Sequence, residues 1–146
     1  YFNSVFGTSN DLSKYIISNN KRDLNRYRWN KLKLEKLLKN KKTKHKIVYD
    51  KITHLLKIRK KQKAFNPNAK RITLNLGSKF FGIKRVSLDK KQFIYSITNI
   101  SSKHQKLQVN HDLSKLNSLI GKKFNLTDKK TILFEPSQTV WISNTK

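Results

Sequence analysis

The chain has 146 residues, about one domain by length, and carries 34 Lys+Arg against 8 Asp+Glu, for a formal net charge of +26. It contains no cysteine, which excludes disulfides and thiolate metal sites. It contains no methionine either and opens at Tyr1, so it is expected to be a fragment or a processed piece. So large an excess of positive charge points to a polyanionic partner such as nucleic acid. Yet Lys, Asn, Ile and Phe are abundant while Gly (4), Pro (2) and alanine (Ala64 and Ala69) are scarce. That is the drift of an AT-rich gene, in which many lysines are solvated substitutions rather than a binding device.

The opening YFNSVF reads as a short strand closed by turn residues Gly7, Thr8, Ser9 and Asn10. No segment resembles a signal peptide or an apolar run long enough to cross a bilayer, so no membrane partner and a cytoplasmic location are expected. From Arg26 to about Lys63 the apolar period is helical. Leu32, Leu34, Leu37 and Leu38 mark one helix, stopped by the polar run Lys39–Lys42. A second runs from Thr43 through Ile47, Val48, Ile52, Leu55, Leu56 and Arg59, at spacings that predict a buried stripe. Lys57, Lys60, Lys61 and Lys63 gather at its C-terminal end, where the helix dipole favours cations, and AFNPNA turns the chain through Pro67.

Beyond residue 67 the period becomes two. Alternating runs occur at Ile72–Leu76, Phe80–Val86, Phe93–Ile97, Leu107–Val109, Ile132–Phe134 and Val140–Ile142, predicting an antiparallel sandwich of about six or seven strands. Trp141 is expected in or beside its core, on the face opposite Val140 and Ile142. The fold class is therefore α+β, with a boundary between residues 67 and 68.

The acids Asp11, Asp23, Glu35, Asp50, Asp89, Asp112, Asp128 and Glu135 are scattered, without the local pair that general acid/base chemistry would advertise. His45 and His54 lie too far apart on a helix to share a metal, and His104 and His111 have no partner pattern, so all four are read as solvated or capping. No phosphate loop, nucleophile elbow or zinc pattern is present; no cofactor, no metal and no catalytic residue are assigned. Asn99-Ile100-Ser101 and Asn125-Leu126-Thr127 match the glycosylation sequon without a secretion signal. What stands out is RDLNRYRW, residues 22–29, which holds three of the six arginines. Asp23 or Asn25 is expected to cap the following helix, and the concentration of guanidinium and amide groups suits a ligand-facing loop, because guanidinium forks match sugar hydroxyls, carboxylates and phosphate.

The blocks YFNSVFGTSND, RDLNRYRW, LLKIRKKQKAFNPNA, LNLGSKFFGIKR and FEPSQTVWISN, in that order, resemble the C-terminal part of the sucrose phosphorylase-like branch of glycoside hydrolase family 13. The branch includes sucrose and glucosylglycerate phosphorylases, and the similarity covers nearly the whole chain. The resemblance implies that residues 1–67 are the end of a (β/α)8 barrel and 68–146 an all-β antiparallel C-terminal sandwich domain. Within the first part it implies the last strand over about 1–6, a loop at the catalytic face over 7–26 and closing helices over 27–62. It further implies retaining transfer of glucosyl from sucrose or glucosylglycerate to inorganic phosphate, with Arg22 binding the sugar and Asp23, Asn25 and Arg26 bracing the loop.

The departures are specific. Where the family reads Y-x-H-S this chain has Asn3, and where it reads glycine and isoleucine in G-R-S/D-I-N-R it has Lys21 and Leu24. The family's catalytic carboxylates lie on earlier strands absent from this sequence, so the chain alone is expected to be inactive. The alternative reading is a small lysine-rich nucleic-acid-binding protein with Tyr27 or Trp29 stacking on bases, and non-specific polyanion binding is compatible with either.

Overall fold

The computed structural model describes residues 2–120 and 124–146. The chain divides into two compact units, Tyr1–Lys57 and Ile58–Lys146.

The first unit is helical. Residues Phe2–Val5 form a single helical turn (α1), followed by α2 (Leu12–Ser18), a 3-10 turn over Lys21–Asn25, α3 (Lys31–Lys39) and the start of α4 (Lys44–Lys61). The expected strand at the opening is thus a helix where it is described. A strand needs a neighbour for its N–H and C=O groups, whereas here Phe6 N–H bonds Asn3 O (3.3 Å) and Gly7 N–H bonds Ser4 O (3.1 Å). Helix starts are set by short polar side chains: Asp11 accepts from Lys14 N–H (3.0 Å), Asn20 from Arg22 N–H (3.0 Å) and Asn30 from Lys33 N–H (3.1 Å). The cap of α3 is therefore Asn30, and neither Asp23 nor Asn25 fills that role. Those two lie a full turn too early, inside the 3-10 segment.

The two helices at 31–39 and 44–61 fall where the apolar period places them. The buried stripe of α4 does not materialise: no residue of α4 is buried, and Ile47, Leu55 and Leu56 stand exposed at 42, 37 and 55 %. In the first unit only Phe6 and Leu34 are buried apolar side chains among the described residues, and Leu12, Ile16, Ile17 and Leu32 are all exposed. What organises the unit is a small aromatic cluster. Phe6 stacks on Tyr49 (5.5 Å between centroids), Trp29 meets Tyr27 (4.9 Å) and His45 (5.0 Å) edge-on, and Trp29 Nε1 donates to Thr8 Oγ1 (3.0 Å). Gly7, at φ +57, turns the chain where a Cβ would stand 2.9 Å from Val48 Cγ2, so both backbone and space require glycine.

The second unit is a β-sandwich. A five-stranded antiparallel sheet has the order β1 (Lys70–Leu74), β2 (Phe80–Val86), β3 (Phe93–Asn99), β8 (Thr139–Ser143), β5 (Asn117–Ser118). A three-stranded sheet has the order β4 (Gln105–Gln108), β7 (Thr131–Phe134), β6 (Asn125–Asp128). Period two decides which side chains go inside: Phe80, Ile97, Leu107, Ile132, Phe134, Val140 and Ile142 form one core with Leu113 and Phe124. Two strands escape the sequence pattern, β5 because it is two residues long and β6 because NLTD carries one apolar residue.

The opposite face of the large sheet holds a second cluster, Ala64, Phe65 and Ile94 with Trp141 and Leu119 packed against it. Trp141 sits here, beside the main core, its ring 4.8 Å from that of Phe65. Gln92 fixes the arrangement. Its Oε1 accepts from Ala64 N–H (2.9 Å), and its Nε2 donates to Gln62 Oε1 (2.6 Å) and Thr145 Oγ1 (2.7 Å). Arg85 adds bonds to Ala64 O (2.8 Å) and Asn66 O (2.7 Å). Gln92→Leu would strand the buried Ala64 N–H and the Gln62 carbonyl, so it is expected to destabilise the chain by about 2–4 kcal/mol, read as a lower urea midpoint at unchanged slope, whereas Lys91→Ala on the exposed side should shift it by about 0.5 kcal/mol or less.

Candidate functional site

The loop following α2 is built around Asp23. Its carboxylate accepts from Lys14 Nζ at 2.7 Å, and this hydrogen bond, followed by one from Ser18, holds the carboxyl below its ordinary range. Asp11 N–H bonds Leu24 O (2.6 Å), tying the start of α2 to the same turn. On the other side Asn3 Nδ2 donates to both Asn25 O (3.0 Å) and Tyr27 O (3.0 Å). The loop is thereby held at both ends by polar contacts.

These latches leave a cleft of about 570 Å³ in the first unit. Its walls are Phe2, Asn3 and Ser4 from α1, Thr8 and Asn10 from the following turn, and the segment Asn25–Arg28. Among the sequence-predicted residues, Asn25 and Arg26 line it, with Arg28 beside them. Arg22 is exposed, its N–H held by Asn20, and lies outside that lining. Asp23, paired with Lys14 at 2.7 Å, also lies outside that lining. Period and composition alone did not single out Asn3 or Arg28; the departure from the family's histidine was the one signal at Asn3.

The acids have structural work elsewhere. Asp50 pairs with Lys46 (2.6 Å) and Glu35 with Lys31 (3.9 Å) on helix surfaces. Asp89 accepts from the Ser87 hydroxyl (2.6 Å) and Lys63 (3.1 Å), Asp112 from Ser114 N–H (2.8 Å) and Asp128 from Lys130 N–H (2.7 Å). Each of these three carboxyls is lowered from its ordinary pKa, chiefly by the Ser87 hydroxyl, the Ser114 hydroxyl and the Lys130 N–H respectively. Such carboxylates hold turns. Among the described residues no group of three His, Asp or Glu is placed to hold a metal, and no helix is long and apolar enough to cross a membrane. His45 is half-buried, with Nδ1 2.8 Å from Phe6 O, the carbonyl just past α1, and its ring against Trp29. Asn99, the first sequon position, is fully buried and donates to Lys103 O (2.8 Å) and Glu135 O (2.9 Å), which leaves no room for a glycan.

Solved structures that this chain resembles include enzymes of glycoside hydrolase family 13. An α-glucosyl transfer enzyme, XgtA, superposes with a TM-score of 0.54 at 13% identity over 66% of this chain and 17% of its own. The trehalose-6-phosphate hydrolase of Bacillus licheniformis gives 0.54 at 16% identity over 75% of this chain and 20% of its own. The trehalulose synthase of Pseudomonas mesoacidophila gives 0.55 at 11% over 75% and 19%, and variants of that synthase are solved with glucose and with sucrose. At such identities the likeness establishes the fold, without singling out a phosphorylase branch. The chain spans about a fifth of the length of these relatives. No family model and no curated protein matches the sequence.

The Asp23–Lys14 latch has a pH signature. The Asp23 carboxyl is depressed in the folded chain below its ordinary 3.8, so its contribution is complete above that value and is lost as pH falls through the folded pKa. A carboxyl NMR titration is expected to show the depressed value in the parent and a return toward 3.8 in Lys14→Met, with the Leu24 amide moving at the same pH.

Proposed function

We propose that this chain is the C-terminal part of a sugar phosphorylase of glycoside hydrolase family 13, carrying an active-site loop, closing helices of a (β/α)8 barrel and the β-sandwich that follows. The intact enzyme transfers glucosyl with retention from sucrose or glucosylglycerate to inorganic phosphate, in the cytoplasm. The observation that carries this reading is the agreement between the ordered sequence blocks and the structural likeness to α-glucosyl-transferring and sucrose-binding enzymes. Two physical features support it. The apolar residues left exposed on α2 and α4, Ile16, Ile17, Leu55 and Leu56, are what a part of a larger enzyme leaves open. Asp11, Asp23, Glu35, Asp50, Asp89, Asp112 and Asp128 are occupied in turns, caps and surface pairs, so nucleophile and acid/base come from the rest of the barrel. In that enzyme Arg22 reaches the glucosyl subsite as a charge-assisted donor, with its loop braced by Asp23 and the Asn25 carbonyl.

The test is a graft of residues 1–146 behind a related barrel that supplies the carboxylates, assayed for phosphorolysis of sucrose and glucosylglycerate. Arg22→Ala is expected to remove about 1.5–3 kcal/mol of transition-state binding, with lysine a poor rescue because it lacks the planar fork. A graft that folds and processes no sugar would sink the reading.

The second reading, nucleic-acid binding, rests on charge alone, which is spread over both units. Duplex DNA is therefore expected to bind weakly, without sequence preference, and to be released by moderate salt through counterion release. Retention of a preferred sequence at physiological salt in a filter-binding assay would reverse the ranking.

A further inference from the structure

One lysine of the β-sandwich stands on the wrong face of its strand. In β2 the side chains of Phe80, Gly82 and Lys84 share a face, and Phe80 on that face belongs to the main core. The register sets Lys84 beside Ile72 of β1 and Tyr95 of β3, so a cation occupies a row that is otherwise apolar. Toward this end of the sheet the cover thins: Ile72 is exposed, and Leu74, Lys84, Phe93 and Tyr95 are only half-buried. The gap is a cleft of about 380 Å³ whose lining residues all belong to the second unit. That volume is in the usual range for a small-molecule site.

The walls that reach solvent are mostly apolar. A Cβ at position 82 would run into Leu76 Cδ1 and stand 3.3 Å from Leu74 Cδ1, so the bare glycine lets both leucines lie over the sheet as one wall. Half-buried Val109 adds to the lining, as does Tyr95, whose ring stacks on that of His111 at 5.5 Å and 28°. Lys84 is the one Lys, Arg, Asp or Glu among the described lining residues. Its ammonium lies 5.0 Å from the Phe93 ring centroid and 5.3 Å from that of Tyr95. Ring faces attract the charge but offer no lone pair to its N–H donors. Lys84 also belongs to none of the ion pairs among the described residues. Asp112, next to His111 in the chain, accepts instead from the Ser114 N–H (2.8 Å) and hydroxyl (2.6 Å). The two rings therefore place a cation in an apolar cleft and leave it without a counter-ion.

We infer that this cleft binds a small monocarboxylate with an apolar body, its carboxylate on Lys84 and its body against Leu74, Leu76, Val109 and Tyr95. The carboxylate gains a charge-assisted hydrogen bond, and the body removes apolar surface from water. Neither half suffices alone. A hydrophilic anion leaves the leucine wall wet, and a neutral apolar molecule leaves the ammonium unpaired. A polyol would lose its hydration against Leu74, Leu76 and Val109 without hydrogen bonds in return. The inference goes beyond the phosphorylase reading and does not rest on it, since the site is complete within the second unit and needs neither a barrel nor a sugar.

The experiment is titration of the 146-residue chain, at about 0.15 M salt to screen diffuse attraction, followed by calorimetry and by amide NMR. The probes are 3-phenylpropionate and octanoate, compared with 3-phenylpropanol, acetate and glucose. Both apolar carboxylates are expected to bind, shifting amides at 74–76, 84, 95 and 108–111; binding by one of them alone identifies a flat or a flexible body. Lys84→Met, which keeps the length of the side chain and removes its charge, is expected to weaken binding roughly tenfold, and Lys84→Arg to retain most of it. Val109→Trp fills the cleft with Lys84 still in place and should abolish binding, so the test survives if Lys84→Met fails to fold. Lys79→Met, outside the lining, should change nothing. The proposal is overturned if 3-phenylpropanol, acetate or glucose binds as well as the carboxylates, or if the shifts spread along the lysines of α3 and α4. Parent affinity in folded Lys84→Met or Val109→Trp overturns it equally, as does no binding at all.

Discussion

The side-chain amide of Gln92 holds three parts of the second unit that are far apart in sequence. A carboxamide has two donors and an acceptor, and each is used: Oε1 on the Ala64 N–H, Nε2 on Gln62 and on Thr145. Because the group is buried, every one of these bonds forms in a medium where failure to form it is expensive. That seats the turn Lys63–Phe65 against the sheet, which lets Phe65 cover Trp141 and lets Arg85 close on the Ala64 and Asn66 carbonyls. The block AFNPNA therefore acts as a clamp on the outer face of the large sheet. The block FEPSQ works similarly at the turn between β7 and β8, where Ser137 takes a positive φ and the Glu135 carbonyl receives the buried Asn99 amide.

The first unit is held by a different physics. With Phe6 and Leu34 its only buried apolar side chains among the described residues, hydrophobic burial contributes little, and the loop from Asn20 to Asn30 is positioned by polar latches instead. Asn3 grips two carbonyls, Lys14 grips Asp23, and Asp11 N–H grips Leu24 O. Such a loop presents its side chains on a frame fixed by hydrogen bonds, and the arginines that take no part in those latches remain free to meet a ligand. Of the acids only Asp11 and Asp23 lie near it in sequence, and both hold the frame. Under the proposed function this division is consistent: the chain contributes binding and support, and the chemistry of bond cleavage is supplied by carboxylates elsewhere in the enzyme.

Period and composition settled a good deal of this. Leu32 to Leu38 and Ile47 to Leu56 announced α3 and α4, because a period of 3.6 over more than two turns has few other solutions. The alternation through Phe80–Val86, Phe93–Ile97 and Val140–Ile142 announced the sandwich and put Trp141 on the face opposite Val140 and Ile142, because successive strand side chains must point to opposite sides. What tertiary structure alone decided was whatever depends on partners. YFNSVF has the composition of a strand, and Phe2–Val5 within it forms a helical turn, its backbone closed on itself rather than paired with a neighbouring strand among the described residues. The stripe of α4 has the period of a buried face and remains open, since burial needs a second surface. Asp23 became a latch rather than a cap because Lys14 stands opposite it. The cleft joins residues 2–10 to residues 25–28, and a linear reading, which sees Arg22 and Arg26 as equal members of one motif, has no means of telling which of them faces it.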